Sequence, residues 1–144
     1  MSMLDEYKQD FLMLLEAGFI ATNQTDEDSA IKLFKAAAAL DKNSPLIKIG
    51  LGYLSLHKLE LKKASSLFEE VLKKDPNNEM AKAFLGITIS LMPKEMLKGE
   101  KMLTETLKSD DKGVKKLAGI ALDFVDKFLK KEPSPVEVKK KDKK

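Results

Sequence analysis

Residues 45–78 read PLIKIGLGYLSLHKLELKKASSLFEEVLKKDPNN. Two apolar patterns follow one another in this stretch. Leu46, Ile49, Tyr53 and Leu56 recur at helical steps, and so do Leu61, Ala64, Leu67, Phe68, Val71 and Leu72. Ser44 before Pro45 marks a helix start, because a capping hydroxyl precedes a residue that needs no backbone donor. Asp75-Pro76-Asn77-Asn78 closes the stretch as a polar linker. Working outward, Gly52, Ala64 and Phe68 each have a like residue 34 positions earlier, Gly18, Ala30 and Phe34, and Gly86 stands 34 positions after Gly52. Leu40-Asp41-Lys42-Asn43-Ser44 is the earlier copy of the segment beginning at Lys74. A period of this length indicates an array of helical hairpins that bury their apolar faces against one another.

The pattern predicts an all-α fold with helices at about 4–23, 26–40, 45–57, 61–74, 78–91, 94–108 and 112–131. Thr25 with Asp28 reads as a capping box, Asn77 as the cap of the fifth helix, and Pro93 as a restart after Met92. In the third repeat Gly99, Leu103 and Thr106 restore the small-large-small spacing only after one inserted residue near Met92-Pro93, so its turn is expected to differ. The last helix carries Val114, Leu117, Ala121, Phe124, Val125 and Phe128 on one side and Lys115, Lys116, Asp123, Lys127 and Lys130 elsewhere, and reads as a solvating cap. The expected organisation is one helical domain over 1–131, with repeats at about 11–44, 45–78 and 79–111, a capping helix at 112–131, and a disordered Lys-rich tail over 132–144 that opens with Pro133-Ser134-Pro135.

With 43% hydrophobic residues in 144, the chain has material for one continuous core. It contains no cysteine, which excludes disulfides, thiolate metal sites and cysteine nucleophiles. The opening MSMLDEYKQD lacks the charged-then-apolar pattern of a secretory signal, and Phe11 to Ala21 is interrupted by Glu16 and falls short of the roughly 20 apolar residues a membrane span needs. A cytoplasmic location is expected. The net charge of +3 sits in the tail, where five lysines from Lys139 to Lys144 face Glu137 and Asp142. Every basic residue is lysine, so the planar fork that reads bases and phosphates is missing, and no specific nucleic-acid partner is expected. His57 is the single histidine, Gly50-Leu51-Gly52 lacks the third glycine and preceding strand of a nucleotide loop, and Asp26-Glu27-Asp28 and Asp110-Asp111 read as helix-start carboxylates. No catalytic residue, metal site or cofactor is expected, and the chain is not expected to be an enzyme.

The small-large pattern Ala17-Gly18, Ala30, Phe34, Ala37, then Leu51-Gly52, Ala64, Phe68 and Asp75-Pro76-Asn77-Asn78, resembles the tetratricopeptide repeat (TPR) over residues 11–110. It departs where the early aromatic of the first helix is Leu14, Lys48 and Lys82, and where Leu59 replaces a usual turn glycine. The resemblance implies a right-handed superhelix of about three helix-turn-helix repeats with a C-terminal capping helix. The first helix of the second repeat is apolar on two sides, since Ile47, Leu51 and Leu54 form a second stripe, whereas its second helix has one stripe. By analogy with TPR proteins, Leu12, Leu15, Phe19, Leu46, Ile49, Tyr53, Leu56, Met80, Ala83, Ile87 and Leu91 are expected to line an apolar concave groove that binds a peptide or helix. Replacing Ile49 and Tyr53 by Asp is then expected to abolish binding and spare the fold.

With its size and apolar groove, the chain also resembles type III secretion chaperones, most closely those of the needle subunit. That resemblance implies a cytoplasmic protein that holds the amphipathic helix of a needle subunit, often with a small helical co-chaperone, and prevents premature polymerisation. The alternatives are a translocator-class chaperone, a self-associating scaffold whose groove is closed by a second copy, and a groove filled by the N-terminal extension or the last helix of the same chain, which leaves no free site.

Overall fold

The computed structural model describes residues 2–130, so the Lys-rich tail lies outside the described residues. Seven α-helices follow one another within them: α1 Met3–Asn23, α2 Glu27–Leu40, α3 Pro45–His57, α4 Leu61–Lys74, α5 Glu79–Ser90, α6 Met96–Thr106 and α7 Lys112–Phe124, the last running into a π-helical turn, Val125–Leu129. The described residues contain no strand. Helices α1 and α2, α3 and α4, and α5 and α6 form three hairpins, and α7 packs against α5 and α6.

Local chemistry sets the helix ends. The Ser44 hydroxyl accepts from the Leu46 N–H with Pro45 at the first helical position. Two caps differ from the sequence expectation by one residue. Asp26, not Thr25, caps α2 by accepting from the Ser29 N–H at 3.1 Å, and Asn78, not Asn77, caps α5 by accepting from the Ala81 N–H at 3.0 Å. The physical reason in the first case is that Thr25 is occupied by the turn before it. Its φ is 60°, and Leu59, 34 residues later, has φ 57°. In both turns the next residue reaches back five positions, the Asp26 N–H to the Ala21 carbonyl and the Glu60 N–H to the Ser55 carbonyl, each at 2.9 Å, which closes the helix with a left-handed residue. The third copy of this position is Pro93, whose ring fixes φ near −65° and removes the donor. That turn closes differently, with the Glu95 N–H on the Met92 carbonyl, and α6 begins only at Met96.

The core is built on rings pressed against glycine. Phe34 of α2 is fully buried, and a Cβ at Gly18 or Gly50 would lie 2.5 or 2.6 Å from its Cε1. Phe68 of α4 repeats the arrangement on Gly52, also at 2.6 Å. In the third hairpin Leu103 takes the place of the ring over Gly86, and a Cβ at Gly99 would meet the Ser90 backbone nitrogen at 2.5 Å. The rings continue as a chain across five helices. Phe34 meets Phe19 edge-on at 5.6 Å, Phe19 meets Tyr53 at 5.2 Å, Tyr53 meets Phe84 at 5.4 Å, and Phe84 stacks on Phe68 at 5.6 Å. Contacts of this kind add about 0.5–1.5 kcal/mol each beyond the area they bury. No buried side-chain polar atom among the described residues lacks a partner.

Glycines that look alike in sequence therefore differ in sign. Gly50→Ala forces a methyl into the Phe34 ring and is expected to cost about 1–3 kcal/mol. Gly119→Ala, whose Cβ would have only Leu107 Cδ2 within reach at 3.9 Å, is expected to raise stability by roughly 0.5–1 kcal/mol through helix propensity. Urea unfolding of the two variants beside the parent checks both, and a loss at position 119 would contradict the packing described.

Candidate partner-binding groove

The eleven residues expected to line one concave groove do not share one surface. Leu15, Ile49 and Ala83 belong to the core, Ile49 being 1% exposed. Phe19, Leu46, Tyr53, Leu56 and Met80 are half-buried and packed on a core cluster that includes Ile49, Phe68 and Phe84. The reason is the ring chain. Consecutive first helices meet directly, with Tyr53 of α3 held between Phe19 of α1 and Phe84 of α5, so the stripe of Leu46, Ile49, Tyr53 and Leu56 is consumed by the stack itself. The Tyr53 hydroxyl donates to Asn23 Oδ1, and burial pushes its pKa above the ordinary 10.0. The expectation that Ile49→Asp spares the fold is thereby corrected, because it would place an unpaired carboxylate in the core.

Leu12 is 50% exposed and lies at the N-terminal edge, beside a hollow of about 350 Å³ bordered by Leu4, Tyr7, Phe11 and Leu40. Ile87 and Leu91 have a different fate. They line an apolar groove of about 440 Å³ between α5, α6 and α7, completed by Leu103, Leu117, Ile120, Ala121, Phe124, Val125 and Leu129, with Leu59 at one rim. Ser90 is the one polar side chain in the lining, and its hydroxyl is spent on the Gly86 carbonyl at 2.7 Å. No titratable group lines the groove, so what it offers is a dry apolar wall rather than a proton donor or acceptor.

The wall of this groove comes from α7. At 100° per residue its apolar side chains cover an arc of about 200°, more than one neighbouring surface can use. Val114, Ala118 and Val125 are buried, while Phe124 remains 44% and Phe128 56% exposed, their rings 5.1 Å apart. The expected C-terminal capping helix is present and packs on α5 and α6, but it turns part of its apolar arc outward. The width of that arc was readable in the sequence and is the signal by which Ile120 and Phe124 could have been found. Lys130 anchors the following turn to α6, pairing with Glu100 and Asp126, and both carboxylates hold its ammonium above the ordinary 10.5.

Leu59 is 71% exposed in a left-handed conformation that disfavours any residue with a side chain. The conformation is that of the helix-closing turn, which Thr25 adopts at the equivalent position of the first hairpin. On the outer side of the same turn, Lys58 joins the first two hairpins through Glu27 at 2.6 Å and Glu60 at 2.9 Å. Lys58 holds the Glu60 carboxyl below its ordinary 4.5, so the stability this pair contributes is present above that value and is lost as pH falls through the lowered folded pKa.

The family profile described as tetratricopeptide repeat matches residues 21–86, from the end of α1 into α5. With seven helices and no strand among the described residues, the fold is an all-α TPR-like helical repeat. The match supports a TPR protein with a protein–protein interaction role, and the α6 and α7 walls of the groove lie beyond the matched residues. No curated protein and no solved structure matches the chain. Among the described residues no helix is long and apolar enough to cross a membrane.

Two substitutions separate core from rim. Ile49→Asp is expected to cost more than about 3 kcal/mol and to abolish the cooperative thermal transition. Leu59→Gly is expected to raise stability by about 0.5–1 kcal/mol, the left-handed penalty relieved exceeding the backbone entropy added. Circular dichroism melts read both.

Proposed function

Starting from a tetratricopeptide-repeat protein with an open apolar groove, we propose that this chain is a binding module, not an enzyme, that holds an amphipathic helix of a partner between α5 and α7. The observation that carries this reading is the exposed lip made by Ile120, Phe124 and Phe128 over a lining with no free polar group. An apolar stripe of a partner helix gains by leaving water there, while its polar face stays solvated. The groove has room for a few large side chains, which suits the i, i+3, i+4 anchors of one helix.

The resemblance to secretion chaperones supplies the class of client: a type III needle subunit, held in the cytoplasm in a form that cannot polymerise, with a small helical co-chaperone as the second partner. What supports this is the combination of TPR hairpins with an apolar rather than charged groove. An acidic peptide tail needs cationic and amide groups, and none lines this surface.

Co-expression with a needle subunit tests the reading. The parent chain is expected to co-purify with it. Phe124→Asp and Ile120→Asp are expected to weaken capture about tenfold or more with unchanged helicity. Leu97→Asp, a change at a still more exposed apolar residue on α6 that does not line the groove, serves as the control and is expected to have no effect. Equal capture by the Phe124 and Ile120 variants removes the groove from the mechanism.

A further inference from the structure

Two apolar surfaces lie at opposite ends of the stack. Helix α1 has 21 residues against 14 in α2, and residues 3–10 are all exposed. The seven extra residues of α1 correspond to about 10 Å of helix, along which Leu4 and Tyr7 border the hollow they share with Leu40 and Asp41 at the end of α2. Leu4 and Tyr7 continue the stripe of Phe11, Leu15 and Gly18, which is buried further along, so the overhang is an amphipathic helix that has run beyond its seat. At the other end, α7 stands where a fourth hairpin would begin, and no second helix follows it among the described residues.

The two ends also differ in charge. The overhang carries Asp5, Glu6 and Asp10 against Lys8. Helix α7 and its π-helical turn carry four lysines, Lys112, Lys115, Lys116 and Lys127, with Lys130 just after them, against Asp123 and Asp126, which pair with Lys127 and Lys130 respectively. Lys116 stands one helical turn before Ile120, and Lys127 one turn after Phe124, so both flank the groove lip.

We propose that the α1 overhang of one copy of this chain lies in the α5–α7 groove of a second copy, with Leu4 and Tyr7 against Ile120 and Phe124 and the overhang's acids beside Lys116 and Lys127. The occupant has the chemistry that the groove was argued to take, an amphipathic helix, and the proposal rests on that reading for its receiving surface. Opposite charge at the two ends sets the direction as head-to-tail and disfavours pairing of like ends. Two copies joined by such a contact together retain one unused overhang and one unused groove, so assembly grows with concentration rather than stopping at two. A client helix competes for the same groove, so client binding dissolves the assembly.

Sedimentation velocity on the full chain tests this with two variants, Leu4→Asp/Tyr7→Asp in the overhang and Phe124→Asp in the groove. The parent mass is expected to rise with concentration and to fall at raised ionic strength. Each variant alone is expected to be a monomer, and an equimolar mixture to form a dimer that grows no further, because one intact overhang meets one intact groove. A parent that stays monomeric at every concentration overturns the proposal, as does a Phe124→Asp variant that still dimerises, which would indicate a symmetric contact through α1. Needle-subunit capture separates the two readings. If the overhang variant captures the subunit and the parent is monomeric, only self-association falls. If the parent self-associates as described and the overhang variant, whose groove is intact and unoccupied, captures nothing, only the client reading falls.

Discussion

The contact on which the rest depends is the Phe34 ring seated on two glycines. Gly18 belongs to the same hairpin and Gly50 to the next, and the ring lies too close to both for a Cβ at either. One side chain therefore sets how closely α1, α2 and α3 approach, and with it the step from one hairpin to the next. Phe68 on Gly52 repeats the contact within the second hairpin, but where the second repeat has Gly50 the third has Phe84, and there ring stacks on ring. The repeat thus keeps its approach within a hairpin and changes its contact between hairpins.

This close approach explains the fate of the surplus apolar surface. When first helices touch one another, a stripe that might have faced a ligand becomes part of the stack, and Tyr53 illustrates it by touching Phe19 on one side and Phe84 on the other. Apolar surface stays open at two places, on the outer side of α7, which packs against α5 and α6, and on the exposed first turns of α1. Such faces of a repeat stack need either polar residues or a partner. Here Phe124, Phe128, Leu4 and Tyr7 are not polar.

The third hairpin departs from the period at one place with one cause. Thr25 and Leu59 hold the left-handed turn residue in the first two hairpins, and Pro93 cannot. The chain accommodates the proline with an extra residue, after which Gly99, Leu103 and Thr106 return to register and reach the core. The same turn places Leu59 at the rim of the groove, so the departure from a usual glycine there is a local cost that coincides with a surface the protein presents.

By itself the sequence determined the repeat, the helices to within a residue or two at most ends, the altered third turn, and the residues that meet at the close approaches. These are properties of spacing and of single residue types, and 34-residue periodicity with Gly, Ala and Phe at matched positions leaves little else that can pack. It also carried Ile87 and Leu91 into the candidate site. Only the tertiary structure decided which apolar stripe is free. Periodicity tells how many faces of a helix are apolar, but whether a face is covered depends on how far apart neighbouring helices lie, and that distance is set by the ring-on-glycine contacts. For this reason Ile49 and Ala83 belong to the core, while Ile120 and Phe124 of the terminal helix form the open lip.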